Sequence, residues 1–453
     1  MQDSYQVIHS KRLTVLIVCL ITITALFLRV KYVEQTVIHA PIRTDAKQYV
    51  TYGYNIYSHG VFSKELSSEP SPDSLRSPGY PMLISLAFMI GGKNFFYPIT
   101  LYIQTIISSL LVPLTFLIGI HFLSRFWALL AATLVAISPH LISMTSYFLT
   151  ETLFSFILLF SIITFYLSLK KGHLFYFILS GLLFGFTYLT NETALFLPFL
   201  FVIILIYSIY YVQRINISKK KWGNLFVYLV IFLSFPAFWI WRSHNLGPEI
   251  ARGSSRAIAN MSHGAYPDFI YQSEKFKYFP YREDPMQPVF GSTFKNFSKI
   301  LFSRFQERPV RYLSWYFLEK PYYLWSWNIL QGQGDIYVYP VKISFYHIHP
   351  SANLLKLLMK YFHPIILIAA FIGVLILIND HINKKKPHLL IIFIFITISY
   401  YTILHTVFAP WPRYSIPLRP ELYLSALYTF NMLTSYFKRR FYTTGIISSS
   451  NNG

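Results

Sequence analysis

The chain is poor in cysteine, in charge and above all in acid. Its single cysteine, Cys19, rules out a disulfide within the chain and leaves no cysteine-ligated metal centre to consider. Charged residues make up 13% of the 453 positions and hydrophobic residues 54%. Soluble domains carry about 25% charged residues, so a water-soluble protein of this size is excluded. Only 18 Asp and Glu stand against 39 Lys and Arg. A formal charge of +21 would suit nucleic acid, but the bases are placed for a membrane instead. Internal repeats and low-complexity domains are also missing.

What is abundant is aromatic and apolar. There are 42 Phe and 36 Tyr, and runs of about twenty apolar residues follow one another, as in polytopic helical membrane proteins. The pattern predicts an all-α integral membrane protein with about ten spans: 13–30, 97–122, 126–143, 150–169, 173–190, 193–212, 223–242, 353–378, 388–408 and 415–436. No A-x-A-like cleavage site follows the first run, which therefore reads as a retained helix. With both termini in the cytoplasm, the short inside loops hold Lys11 and Arg12, Arg125, Lys170 and Lys171, Arg214 with Lys219 to Lys221, Lys384 to Lys386, and Lys438 to Arg440. Every one is basic, as the positive-inside rule requires. Only Asp3 and Asp380 among the acids fall inside.

Four regions follow. An N-terminal module, 1–242, contains a first outer loop, 31–96. A long, basic, aromatic-rich outer loop covers 243–352, with Arg252, Arg256, Lys275, Lys277, Lys295 and Lys299 among its bases. That loop reads either as a solvated surface or as one that attracts anionic lipid head groups or phosphates. Both outer loops are expected to carry interfacial helices. Residues 313–327 read as an interfacial helix or a re-entrant piece, broken at Pro321. Residues 353–442 complete the spans, and 443–453 read as a polar, disordered tail.

The chemistry concentrates in the first outer loop. Asp45 lies beside a bilayer, where a charge is expensive and marks a functional site by default. Pro41 can open a helix that Thr44 or Asp45 would cap. On that helix Asp45, Tyr49 and Tyr52 share a face. Asp45 is then either a functional carboxylate or merely the cap. Downstream, Arg76-Ser-Pro-Gly-Tyr-Pro81 holds a guanidinium in a stiff turn in which Gly79 tolerates unusual backbone angles. Arg76 suits a phosphate, which it can bond through two oxygens; the alternative is an arginine snorkelling to head groups. Two more acids sit at outer span edges. Glu151 reads as functional, and Glu192 in Thr190-Asn-Glu-Thr193 as a helix cap. His347, His349 and His405 read as interfacial rather than metal-binding, and the sequons at Asn260 and Asn296 as chance. Gln331-Gly-Gln-Gly-Asp335 reads as a tight turn whose acid could approach the site.

Together these motifs resemble the GT-C-type glycosyltransferases, within them the branch of protein mannosyltransferases and lipid A aminoarabinose transferases. The resemblance is carried by an Asp in the first outer loop, Arg-x-Pro-Gly-Tyr-Pro before the next membrane segment, and Leu-Thr-Glu-Thr-Leu-Phe at 149–154. Gly181-Leu-Leu-Phe-Gly-Phe-Thr-Tyr-Leu-Thr190 and Trp411-Pro-Arg-Tyr-Ser-Ile-Pro417 add to it. It covers roughly 41–200 and 405–420. The chain departs from the branch's frequent Asp-Glu pair, with Ala46 after Asp45, and has Thr-Asn-Glu where Thr-Arg-Pro is common.

The resemblance implies transfer of a sugar from a polyprenyl-phosphate donor to a hydroxyl acceptor in the cell envelope. The enzyme would be a multi-pass protein of a bacterial cytoplasmic (inner) membrane with its site facing outward. Asp45 takes the position of the catalytic carboxylate, Glu151 that of a second acidic site, and Arg76 that of the donor phosphate ligand. Arg413 would assist Arg76, and Tyr49 and Tyr52 would pack on sugar or prenyl chain. The partners are donor, acceptor and membrane lipids, not nucleic acid. No cofactor is required by the sequence; a divalent metal could replace some cationic charge, but no ligand cluster demands one. The rival reading is a polytopic transporter or lipid-linked glycan flippase without transferase activity. Transporters usually repeat in halves and bind at the midplane, whereas here no halves repeat and the acids gather at the outer edge.

Overall fold

A computed structural model describes residues 2–209, 218–246, 253–269, 279–330, 333–383 and 387–449. Arg214, Arg252, Lys275, Lys277, Gln331 and Lys384 to Lys386 therefore lie outside the described residues. So do 450–453 and the side chains of Lys438 to Arg440.

The elements run α1 (Gln2–Gln35), β1 (Val37–Ile38), α2 (Thr44–His59), α3 (Gly79–Gly119), α4 (Arg125–Ile137), α5 (Pro139–Ser143), α6 (Glu151–Lys171), α7 (Leu174–Thr190) and α8 (Leu197–Tyr207). They continue with α9 (Lys219–Asn245), α10 (Gly253–Gly264), α11 (Gln287–Phe290), α12 (Phe294–Glu307), α13 (Pro309–Ser314) and α14 (Lys320–Leu324). β2 (Val341–Ile343), α15 (Phe345–Ile348), α16 (Pro350–Ile382), α17 (Leu389–Val407) and α18 (Arg419–Ser449) complete the chain.

The chain is nearly all helical, and the ten expected spans fall on helices, 126–143 on two of them and 193–212 as far as its described residues go. Length and composition alone do not reach that count. Among the described residues six helices are long and apolar enough to cross a membrane, or seven if the bent pair 125–137 and 139–146 is one span. Leu174–Thr190 and Glu192–Tyr207 are apolar but short. α18 is buried over 419–429, so its Tyr, Ser, Thr and Glu side chains face neighbouring helices rather than lipid. The tail expectation is overturned as far as Ser449, because α18 runs through it.

Three local departures have physical causes. The expected second span starts too late: α3 begins at Gly79 and turns once, at Gly92, whose φ of 60° and ψ of −165° glycine tolerates best. The bend between α4 and α5 falls at Pro139, which has no N–H to continue the ladder. The carbonyls of Val135 and Ala136 left there accept hydrogen bonds from the guanidinium of buried Arg29, which also donates to Ser108 Oγ. This arginine inside the first span is therefore a helix-end ligand. Pro321, finally, does not break the 309–324 helix. A single wide, π-type turn over Trp315–Glu319 precedes it and absorbs the missing donor.

A small antiparallel ribbon supplements the helices. β1 pairs with β2, Val37 opposite Ile343 and Ile38 opposite Val341. It brings Tyr339 under the start of α2, where its hydroxyl donates to Arg43 O at 3.2 Å and its ring takes the Arg43 guanidinium at 4.6 Å. α6 packs between α3, α7 and α17. The long loop builds a second aromatic core from Phe269, Tyr281 and Trp315, closed by Trp411 from beyond α17.

Candidate active site

A cavity of about 300 Å³ opens where α2, the turn before α3, α6, α10 and α17 meet. Its lining includes Asp45, Tyr49, Arg76, Glu151 and Arg413, so five of the six residues singled out from sequence converge. It also includes Glu192, Arg256, Asn260 and His405. Three carboxylates thus face three guanidiniums.

Asp45 sits in the first turn of α2, directly after Thr44, whose φ of 46° is strained for a residue with a Cβ. It does not cap the helix: the N-terminus has no side-chain cap. Both of its oxygens are instead held by arginines. Arg76 Nη2 donates to Oδ1 at 2.6 Å and Arg413 Nη2 to Oδ2 at 3.1 Å. The remaining 32% of the side chain stays exposed, toward the cavity. Burial pushes the carboxyl up, but Arg413 and Arg76 together outweigh it and hold its pKa at about 2.

Arg76 is aimed by three more contacts. Its Nε donates to Gln48 Oε1 at 2.7 Å, its Nη1 to Tyr49 Oη at 3.5 Å, and its plane lies 5.1 Å over the Tyr49 ring. The turn that carries it needs Gly79 for closeness, not for an unusual φ. A Cβ there would meet the Leu189 carbonyl at 2.9 Å and Thr190 Oγ1 at 2.6 Å. Glu151 opens α6 after a turn pinned by Gln104, whose Nε2 donates to Thr145 O and Tyr147 O. Arg413 stands in the 3₁₀ segment Pro412–Leu418, tied to α6 by the Ser155 Oγ bond to Pro417 O. Arg413 Nε lies 2.9 Å from Glu151 Oε1, an ion pair in which the N–H does not point at the oxygen. At 9% and 6% exposure the two are buried together.

Tyr52 is a correction. It shares the helical face of Asp45, but seven residues advance it by about 10 Å, past the cavity. Its hydroxyl donates to Asp73 and its ring stacks on Phe62. Glu192 is another. The cap of its 3₁₀ turn is Asn191, which accepts from Thr193 N. Glu192 lines the cavity, accepting from Ser77 Oγ at 3.1 Å and pairing with Arg256 at 3.4 Å. Asp335 does not approach the site: Lys356 Nζ and Trp327 Nε1 donate to its two oxygens. His405 lines the cavity and stacks on Tyr414, while His349 pairs with Gln35. Asn260, read as a chance sequon, accepts from Ala409 N at 3.0 Å.

Sequence reasoning missed Arg256 and Asn260 as lining residues. The available signal was a base and an amide one turn apart in the long loop, and nothing local aims them inward. Packing does: Gly264 lets α10 lie against the Phe408–Ala409 backbone, where a Cβ would meet atoms at 2.6–2.7 Å.

A divalent cation fits this donor set poorly. Both Asp45 oxygens and one Glu151 oxygen are already on guanidiniums, and among the described residues no three His, Cys, Asp or Glu stand close enough to hold one ion. Chemically, the arrangement offers a carboxylate beside paired guanidiniums at the head of an apolar recess formed by Leu195, Phe196, Leu404 and Phe408.

The sequence profile of the dolichyl-phosphate-mannose-protein mannosyltransferases matches residues 75–241, less than half of the chain. The match takes in Arg76, Glu151 and Glu192 and stops short of Asp45 and Arg413. Among solved structures, the oligosaccharyltransferase AglB of Archaeoglobus fulgidus superimposes with a TM-score of 0.51 at 12% identity, over 97% of this chain and 52% of its own. The chain has the GT-C glycosyltransferase fold. Two other GT-C structures align more loosely. ArnT of Cupriavidus metallidurans has a TM-score of 0.49 at 11% identity, over 96% of this chain and 63% of its own. The protein O-mannosyltransferase complex of S. cerevisiae has a TM-score of 0.40 at 14% identity, over 58% and 37%. The chain spans about half the length of the archaeal enzyme. No curated protein matches it in sequence.

Proposed function

We propose that the chain is a membrane glycosyltransferase that moves a sugar from a polyprenyl-phosphate donor to a hydroxyl of a glycan, lipid or protein acceptor. One observation carries the reading. Asp45 stands between Arg76 and Arg413, with Glu151 behind, in a cavity among membrane-spanning helices. The match to a dolichyl-phosphate-mannose-dependent family supports the donor class, as does the dolichol-phosphate bound by the archaeal oligosaccharyltransferase. The cavity is assigned to the outer face of a bacterial inner membrane. Glu151 opens α6 on the cavity side, and Lys170 and Lys171 close it at the other end.

The resting site is electrostatically closed. With a pKa of about 2, Asp45 is a poor base while both guanidiniums hold it. A donor phosphodiester competes for those guanidiniums, and Asp45 is released as they turn to it. Asp45 then accepts the proton of the acceptor hydroxyl as its oxygen attacks the anomeric carbon. The bond from that carbon to the phosphate oxygen breaks on the opposite face, so a single displacement inverts the configuration. The departing phosphate gains a second negative charge, which Arg76 and Arg413 offset. Glu151 keeps Arg413 oriented, Tyr49 packs on the sugar, and the apolar recess takes the first isoprene units. Holding both substrates at one interface supplies much of the rate.

The test is purified, reconstituted protein incubated with labelled polyprenyl-phosphate sugars and envelope acceptors. Label should move into acceptor with inverted anomeric configuration. Donor that crosses the bilayer chemically unchanged would overturn the reading in favour of a flippase.

A further inference from the structure

We propose that residues 294–324 form a platform seated in the bilayer on the cavity side, which binds an anionic phospholipid surface. The inference does not depend on the transfer reaction. It begins with a helix whose polarity is inverted for water. Over 309–324 the buried face carries Tyr312, Trp315, Lys320 and Leu324, while Val310, Leu313, Phe317, Leu318 and Tyr322 are exposed. A surface helix in water turns its polar face outward. Phe317 and Leu318 are each 69% exposed, as open as the span residues Ile23 and Phe126 at 62% and 66%. A contiguous apolar surface of this kind marks an interaction site.

The bilayer, rather than a protein, covers it because the face continues a membrane surface. Trp325 Nε1 donates to Thr402 Oγ1 at 3.0 Å, and Lys320 Nζ donates to Thr406 O at 2.6 Å, so the helix lies on the end of span α17. Ile403 and Val407 of that span are exposed as well. Sixteen residues reach about 24 Å, short of the roughly 30 Å hydrocarbon core, so the helix lies in the interface and does not cross. Next to it α12 exposes Phe294 and Phe302 together with Lys295 and Lys299, and Arg308 is exposed at the junction. The one acid exposed there is Glu307. Apolar side chains for the acyl boundary, flanked by bases for head groups, fit an anionic leaflet.

The platform is coupled to the cavity. Trp315 Nε1 donates to Gly264 O at 2.9 Å, at the end of α10, the helix that carries Arg256 and Asn260 into the cavity. The three carbonyls gripped by Lys320 belong to Thr406, Val407 and Phe408, and Phe408 is a lining residue. Seating in the leaflet therefore fixes the height of the cavity wall above the membrane.

The test uses the full chain with Cys19→Ser and single cysteines, Phe317→Cys and, as a solvent control, Glu69→Cys, each carrying an environment-sensitive fluorophore. The protein is reconstituted in phosphatidylcholine with and without phosphatidylglycerol. The probe at 317 should be quenched by acyl-chain spin labels and spared by iodide, and the probe at 69 the reverse. Spin-labelled phosphatidylglycerol should quench at 317 about twofold or more above spin-labelled phosphatidylcholine. Combining Lys295→Glu, Lys299→Glu and Arg308→Glu should remove that excess. Iodide quenching at 317 equal to that at 69 would overturn the proposal, as would energy transfer between copies labelled at 317. Equal quenching by the two lipids would overturn the anionic preference.

Discussion

Arg413 and Glu151 form the most buried ion pair of the cavity, and separating them gives a quantitative expectation. Arg413→Gln leaves the Glu151 carboxylate, 6% exposed, without its cation. Removing one partner of a buried pair costs about 3–5 kcal/mol, because the other charge stays desolvated. Near its midpoint a chain of 453 residues loses about 1 kcal/mol of stability per degree, so the midpoint should drop by about 3–5 °C. Adding Glu151→Gln removes the stranded charge, and Asp45 still keeps Arg76. The double variant should recover most of the loss, with a coupling of about 2–3 kcal/mol. Thermal unfolding of the four proteins in one detergent, followed by intrinsic fluorescence, reads the cycle. Equal losses from Arg413→Gln in the wild-type and the Glu151→Gln backgrounds would mean the two side chains do not interact, and the reasoning would fail.

Three further outcomes follow from the same geometry. Gly79→Ala should cost about 1–3 kcal/mol of stability and reduce activity, and Thr190→Ala should rescue it only in part, since the Leu189 carbonyl would still lie 2.9 Å from the new Cβ. Arg76→Ala should raise the donor KM more than the acceptor KM; equal changes in steady-state kinetics would count against a phosphate role. The Asp45 carboxyl falls from 3.8 to about 2 on folding, so its ion pairs add stability that is complete above pH 3.8 and lost as pH falls through about 2. The midpoint gap between wild type and Asp45→Asn should therefore narrow on acidification through that range.

The spans and the acidic centre of the site were legible because both are local signals. Runs of apolar residues require helices, Asp45 and Glu151 stood out as acids beside them and Arg76 by its stiff turn, whereas Arg413 was marked only by the resemblance of Trp411-Pro-Arg-Tyr-Ser-Ile-Pro417 to a family motif. What stayed hidden depends on distant contacts. Asn191 and Glu192 both suit a cap, and only the approach of Ser77 and Arg256 decides which one faces the cavity. The face shared by Asp45 and Tyr52 is real, but the cavity takes in Tyr49 on the second turn and ends before Tyr52 on the third. Pro321 obeys the breaker rule only until a π-type turn offers a way round it. α18 carries polar residues that make a poor lipid-facing span and a good interior helix, a distinction set by its neighbours. Arg256 reaches the site through the closeness that Gly264 permits to Ala409.

The most direct measurement is single-turnover sugar transfer by wild type and Asp45→Asn, each purified, reconstituted and saturated with the same labelled polyprenyl-phosphate sugar. Wild type should transfer label to acceptor, and the variant should bind donor, since Arg76 and Arg413 remain, yet transfer none. Wild-type rates from Asp45→Asn would contradict the assignment of Asp45 as the base.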